Sequence, residues 1–212
     1  MTSNAELTAK ARQTLEGKWG TAALGTLIYL LIIAVFEGFS QFGADPLNPF
    51  AFQNFWPAIV VLVIAGPLGL GYVLFIISLK YNEKTEISTI FDGFKQFVRA
   101  LATYLLQQVL IFLYCLLLII PGIIKALAYS MTFFILAEDS TIGSYDAILK
   151  SKELMYGYKW KYFCLQLRFI GWAILSFLTL GIGFIFLVPY IQSSNLNFYE
   201  DVKQAYIAKK TD

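Results

Sequence analysis

Histidine is absent from all 212 residues. Its absence removes the commonest general base and the commonest metal ligand. Cysteine occurs twice, as Cys115 and Cys164, each inside an apolar run. On the topology read below the two stand roughly 20 Å apart in depth. A disulfide needs Cα atoms within about 7 Å, so no covalent staple is expected. Charge is scarce too: Asp, Glu, Lys and Arg make up 14% of the chain, against about 25% in soluble domains. A net charge of +2 gives no reason to expect nucleic acid as a partner. There is no P-loop, no nucleophile elbow and no cysteine pair at metal spacing. Ser193 and Ser194 have no base nearby in sequence. The chain is therefore not expected to be an enzyme, and no metal or other cofactor is expected.

Apolar residues fill the space that these leave. Hydrophobic residues make up 58% of the chain and the mean hydropathy is +0.65. The longest apolar stretch covers residues 98–139. Between Ala100 and Ala137 its only charge is Lys125, and Pro121-Gly122 interrupts it. A bilayer core of about 30 Å takes roughly 20 helical residues to cross. The stretch is too long for one crossing and suits two. Proline blocks helix continuation and glycine accepts turn dihedrals, so the chain is expected to reverse at Pro121-Gly122.

Four more runs complete the pattern: 19–36, 56–79, 161–178 and, after the turn Thr179-Leu180-Gly181-Ile182-Gly183, a last helix through Pro189 to Asn197. The first is not read as a signal peptide, because Glu37-Gly38-Phe39 follows it where small cleavage-site residues would stand. The expected fold is an all-α integral membrane protein. It has six transmembrane helices as three hairpins in a single domain, 1–212, with amphipathic helices on the cytoplasmic surface. One such helix covers 3–17, where Ser3 and Glu6 have capping-box spacing and Leu7, Ala11 and Leu15 share a face. A second runs from Ile87 towards Val98, with Ile90, Phe91 and Phe94 on its apolar side. A third follows Glu138-Asp139, capped by Thr141 or Ser144, with Tyr145, Ile148, Leu149 and Met155 facing inward. The small residues at 65–71 predict either a kink or a groove that admits a neighbour.

Orientation follows from the basic residues. Lys10, Arg12 and Lys18 precede the first helix, and Lys80, Lys84, Lys95 and Arg99 lie between the second and third. Lys150, Lys152, Lys159 and Lys161 lie between the fourth and fifth, and Lys203, Lys209 and Lys210 follow the sixth. Both termini are expected in the cytoplasm. Lys125 alone lies at the far side, placed to snorkel to headgroups. Gly17-Lys18-Trp19, Gly93-Phe94-Lys95 and Gly157-Tyr158-Lys159-Trp160 each precede an outward-going helix. They suggest three repeated units at 3–86, 87–140 and 141–201, with a tail at 202–212.

Polar residues inside apolar runs are the candidate functional groups. Arg168 either lines a path, snorkels to phosphates or pairs with Glu138. Gln192, Ser193, Ser194, Asn195 and Asn197 either line a cavity or mark an early helix end. Gln107 and Gln108 are suited to interhelical hydrogen bonds. The pairs Glu138-Asp139 and Glu200-Asp201 read as solvated charge at helix ends. Membrane lipids are the expected partners, with a protein partner or homo-oligomer also open.

One set of motifs is specific. Pro121-Gly122-Ile123-Ile124-Lys125-Ala126, Gly157 with Lys159-Trp160, Gly171-Trp172, Thr179-Leu180-Gly181-Ile182-Gly183, Pro189-Tyr190 and Phe198-Tyr199-Glu200 together resemble a bacterial membrane-protein family, domain of unknown function 975 (DUF975). Phe134 departs from it, standing where a proline or another small break belongs. The resemblance implies a bacterial plasma-membrane protein with several helices and brings no substrate or reaction. The leading functional expectation is binding of a lipid, small solute or protein partner from the cytoplasmic side; the rival is a transporter or channel. Single cysteines at Asn48 and Ser88 are expected to react with an impermeant maleimide from opposite sides of the membrane. Labelling of both from one side would exclude the six-span topology.

Overall fold

The computed structural model describes residues 1–41, 56–81 and 85–211. Its helices are α1 (Asn4–Leu15), α2 (Trp19–Gln41), α3 (Trp56–Tyr81), a 3-10 helix (Ile87–Gln96), α4 (Phe97–Leu117), α5 (Ile119–Tyr129), α6 (Thr132–Glu138), α7 (Ser144–Leu154), α8 (Lys159–Leu178) and α9 (Phe184–Thr211). The described residues contain no strand. Residues 42–55 of the expected loop after the first helix lie outside them. Five stretches are long and apolar enough to cross a membrane: Trp19–Gly38, Ile59–Tyr81, Ile87–Leu116, Ile119–Glu138 and Lys159–Leu178. The expected sixth, in α9, is not among them, because Gln192 to Asn197 dilute its hydropathy. Nor does that helix end early at Asn197. It continues to Thr211 with Pro189 inside it.

α1 forms where the capping box predicted. The Ser3 hydroxyl accepts from Glu6 N–H and the Glu6 carboxylate accepts from Ser3 N–H, so two orphan donors of the first turn are satisfied. Gly17, at φ 74°, closes the helix and lets α2 begin at Trp19. Gly157, at φ 84°, does the same between α7 and α8. Gly93 has no left-handed backbone and sits inside the 3-10 helix, so the second glycine–lysine motif is built differently.

α2 and α3 run antiparallel. Lys18 Nζ donates to Leu79 O at 2.7 Å, Thr26 Oγ1 meets the Tyr72 hydroxyl at 2.8 Å, and Tyr29 stacks on Tyr72 with centroids 4.4 Å apart. The 65–71 stretch is the groove of the two alternatives. A Cβ on Gly71 would overlap the Ile90 carbonyl, and one on Gly93 would overlap Pro67 O and Gly71 N. The 3-10 helix thus lies backbone against backbone on α3. Only part of its amphipathic stripe turns inward: Ile90 and Gly93 are buried, while Phe91 and Phe94 face outward.

The second hairpin turns earlier than expected. α4 ends at Leu117, Leu118 adopts extended backbone (φ −162°, ψ 140°), and Pro121-Gly122 lie in the first turn of α5. Proline is at home there because N–H groups of a first turn lack intrahelical partners. Gly122 allows the return helix to touch α4, since a Cβ would press on Cys115 Cα at 2.9 Å.

The return then breaks at Ser130-Met131, between α5 and α6. The fully buried Ser151 hydroxyl, from α7, fills the gap. It donates to Ala128 O at 2.9 Å and accepts from Met131 N–H at 3.2 Å. This use of Ser151 rotates α7: Ala147, Ile148, Ser151 and Leu154 are buried, while Tyr145, expected inside, is exposed. The N-cap of α7 is Gly143, not Thr141 or Ser144. Thr141 N–H donates instead to Asp139 Oδ1 at 2.9 Å.

Gly71→Ala and Gly93→Ala are expected to destabilise the protein by about 1–3 kcal/mol through overpacking, whereas Gly69→Ala, with open space at its Cβ, is expected to be neutral or better. Thermal unfolding of the three variants in detergent checks this; equal melting temperatures would disprove the backbone contact.

Candidate functional site

The polar residues of α9 gather the ends of the other elements. Lys80, at the end of α3, donates to Glu200 Oε2 and, at 2.8 Å, to Asn197 Oδ1. Tyr81 donates to the other Glu200 oxygen. Lys161, at the start of α8, donates to Asp201 at 3.3 Å and to Thr2 O at 2.6 Å. Asp201 also accepts from Thr2 N–H at 3.0 Å and from the Thr2 hydroxyl at 2.9 Å. Glu138, at the end of α6, accepts from Lys203 and, at 2.5 Å, from the Tyr199 hydroxyl. Asn197 Nδ2 donates to Leu7 O at 3.2 Å. About two turns of α9, residues 197–203, therefore bind α1, α3, α6 and α8.

Glu138, Glu200 and Asp201 are not plain solvated charge, whereas the Asp139 carboxylate bonds to Thr141 nearby. The Asp201 side chain is 12% exposed. Burial disfavours its charge, but the Thr2 N–H, the Thr2 hydroxyl and Lys161 outweigh that and hold the carboxyl below its usual range. Burial, reinforced by the bond to Glu138, raises the Tyr199 phenol above its ordinary value, so it stays protonated and donates.

The clasp is flanked by clefts. One, about 420 Å³, lies between α1, the end of α3 and α9, beside Lys10, Gln13, Lys80, Glu200 and Asp201. Another, about 280 Å³, lies between α3, α6 and α9. The largest, about 770 Å³, joins the α7–α8 junction to the end of α9, where Lys152, Lys159, Lys209 and Lys210 surround Tyr156, Tyr158 and Tyr206. Among the described residues Glu153 is the one carboxylate on its wall, and it accepts from the Tyr206 hydroxyl at 3.2 Å.

The predicted candidates separate. Asn195 and Asn197 join protein contacts, Asn195 Oδ1 accepting from Gln166 Nε2 at 2.7 Å. Ser194 donates to Tyr190 O at 2.9 Å. Ser193 is buried, and its hydroxyl has no partner among the described residues. Gln192 is half-buried. Gln107 Oε1 is buried without a partner and Gln108 is exposed, so neither makes the interhelical bond expected of it among the described residues. Arg168 is exposed on α8 and does not pair with Glu138, which Tyr199 and Lys203 occupy. Lys125 stands 4.3 Å above the Tyr114 ring. Among the described residues no three Cys, Asp or Glu side chains gather as a metal site would require.

A family model described as a protein of unknown function, DUF975, matches residues 1–127 and 109–206. The chain belongs to the DUF975 family. No curated protein and no solved structure matches it. In this DUF975 chain, reading basic residues only as orientation markers hides Lys80, Lys161 and Lys203 as clasp members. The interleaved lysines and aromatics of Tyr156-Gly157-Tyr158-Lys159-Trp160-Lys161 and of the tail were the available signal for the large cleft.

Asp201→Asn and Lys161→Met are expected to release α1, raising hydrogen exchange across residues 2–15. The Asp201 carboxyl has a depressed folded pKa, so its contribution is complete above the unfolded value of about 3.9 and is lost as pH falls through the folded value. Protection of α1 should therefore stay flat from neutral pH to about 5 and fall below about 4. A flat profile through that range would remove Asp201 from the docking of α1.

Proposed function

We propose that this DUF975 protein is a multi-pass protein of the bacterial plasma membrane, with both termini cytoplasmic, that captures an anionic lipid headgroup from the cytoplasmic side without catalysing a reaction. The observation that carries this is the 770 Å³ cleft with its four lysines and three tyrosines. Ammonium groups bind phosphate as point charges. Tyrosine rings offer an apolar wall with a polar tip, as suits a ligand that is half headgroup and half glycerol. Trp160, exposed beside Lys159, is an interfacial anchor at the same level. The distribution of lysines supports the cytoplasmic placement, and pairing of the helices as hairpins keeps both termini on one side. Gly17 and Gly157, with their shared left-handed backbone, support a common origin for the first and third units.

Transport is the weaker reading. It needs polar groups free to face a path, and Asn195 and Asn197 are engaged by Gln166, Lys80 and Leu7. Arg168 faces away from the bundle.

Titration of the purified protein with phosphatidylglycerol and phosphatidylcholine, followed by native mass spectrometry, tests the headgroup reading. Each lysine near a membrane surface contributes about 1 kcal/mol towards anionic lipid, and 1.4 kcal/mol is tenfold in affinity. Replacing Lys152, Lys159, Lys209 and Lys210 by Gln is expected to weaken phosphatidylglycerol binding by at least about tenfold, with phosphatidylcholine unaffected. Unchanged phosphatidylglycerol binding would exclude the cleft as the site.

A further inference from the structure

By composition α8 is long and apolar enough to cross a bilayer, yet its neighbours place it elsewhere. α1 runs antiparallel along α9. Thr2 meets Asp201, Asn197 meets Leu7, and the Trp19 and Phe186 rings lie 6.5 Å apart. At Asp201, Asn197 and Phe186 α9 therefore lies beside the α1 segment or the first residue of α2. α1 and its C-cap carry Lys10, Arg12, Gln13 and Glu16, all exposed. Exposed charges of that kind belong in water or among headgroups, not in hydrocarbon.

The tip of the α8–α9 hairpin is fixed by the same contacts. Arg12 and Trp19 line one cleft of about 300 Å³ with Trp172, Ser176, Thr179 and Gly183. The tip thus sits beside the first residues of α2. The far end of α2 is 22 residues further on, roughly 33 Å away at helical rise. Lys18, bound to Leu79 O, ties the start of α2 to the end of α3, where Lys80 and Glu200 pair. These charges mark one edge of the α2–α3 crossing, and the hairpin tip reaches little beyond them.

The tip itself is built for lipid. Thr179, Leu180, Gly181, Ile182 and Phe184 donate their N–H groups to Leu175, Phe177, Ser176, Thr179 and Gly181 carbonyls at 3.0–3.2 Å. Gly183 N–H donates to the Thr179 hydroxyl at 3.1 Å. Satisfied N–H groups are what a turn inside hydrocarbon requires. Phe177, Leu178 and Ile182 face outward, and Leu180, at a left-handed φ of 55°, is 95% exposed. A leucine held in that conformation with nothing of its own chain to cover it needs an apolar solvent.

We infer that the α8–α9 hairpin dips into the cytoplasmic leaflet alone and does not cross the membrane. The partner of its exposed apolar tip is the acyl-chain layer of one leaflet, continuous with the lipid around α2. Arg168 then lies at headgroup depth, 12 residues or roughly 18 Å of helix before Leu180, where its exposure costs little. The crossings are α2, α3, α4 and the α5–α6 return, and the termini stay on one side. The inference rests on the reading that α2 and α3 cross.

The test uses the full-length protein with Cys115 and Cys164 replaced by Ala and one new cysteine at a time, in right-side-out and inverted membrane vesicles. Asn48→Cys is expected to react with impermeant maleimide from the outer side. Leu180→Cys is expected to react from neither side, while a bimane attached there is quenched by lipids brominated along the acyl chain. Reaction of Leu180→Cys from the outer side, beside a reactive Asn48→Cys, would overturn the single-leaflet hairpin and leave the α2–α3 crossing intact. Reaction of Leu180→Cys from the inner side would place the hairpin in water and overturn it as well. Failure of Asn48→Cys to react from outside would overturn the crossing of α2 and α3, and the hairpin inference with it.

Discussion

Charge pairing on one turn of α9 is the constraint on which the rest of this fold depends. Glu200, Asp201 and Lys203 each meet an opposite charge at the end of a different element, namely α3, α8 and α6. None of these pairs is fully exposed, and each is reinforced by a second polar partner: Asn197 for Lys80, Thr2 for Asp201 and Tyr199 for Glu138. Isolated surface pairs contribute about 0–1 kcal/mol, but a half-buried network loses more when one member goes, because the remaining charge is stranded. Beneath the clasp lies the apolar core, with Leu7, Phe75, Ile76, Leu136, Leu196 and Phe198 all nearly or wholly buried. The clasp positions that core; the core dehydrates the clasp.

Local features were legible in the sequence because their causes are local. The capping box at Ser3 and Glu6, the buried face Leu7-Ala11-Leu15, and the glycine at 157 all act within a few residues of themselves. The long apolar runs were equally plain, since hydropathy is a sum over composition. The groove at 65–71 was half legible. Small residues announced that something would approach, and only the fold shows that the visitor is the backbone at Ile90 and Gly93.

The misreadings share one physical origin. Apolar sequence records that a segment avoids water, without recording whether protein or lipid replaces it. The stripe of residues 87–98 put Ile90, Phe91 and Phe94 on one apolar side, yet Ile90 is buried while Phe91 and Phe94 are exposed. Pro121-Gly122 looked like a turn, yet Leu118 turns and the proline starts the next helix. Arg168 drew attention because charge in an apolar run is expensive, although it faces outward. The polar groups that do meet, from Thr2 to Lys203, are separated by most of the chain. No window of sequence contains them together.

That separation has a consequence for the order in which the molecule can be completed. Thr2 and Asp201 stand 199 residues apart in sequence, and they are hydrogen-bonded to each other. Synthesis proceeds from the N-terminus, so α1 lacks its α9 contacts until α9 has emerged. Lys80, Glu138 and Lys161 likewise wait for their ion-pair partners on α9. Loss of the turn 200–203 would strand Lys80, Lys161 and Glu138 together, so one turn of α9 sets the pairing of three separate elements.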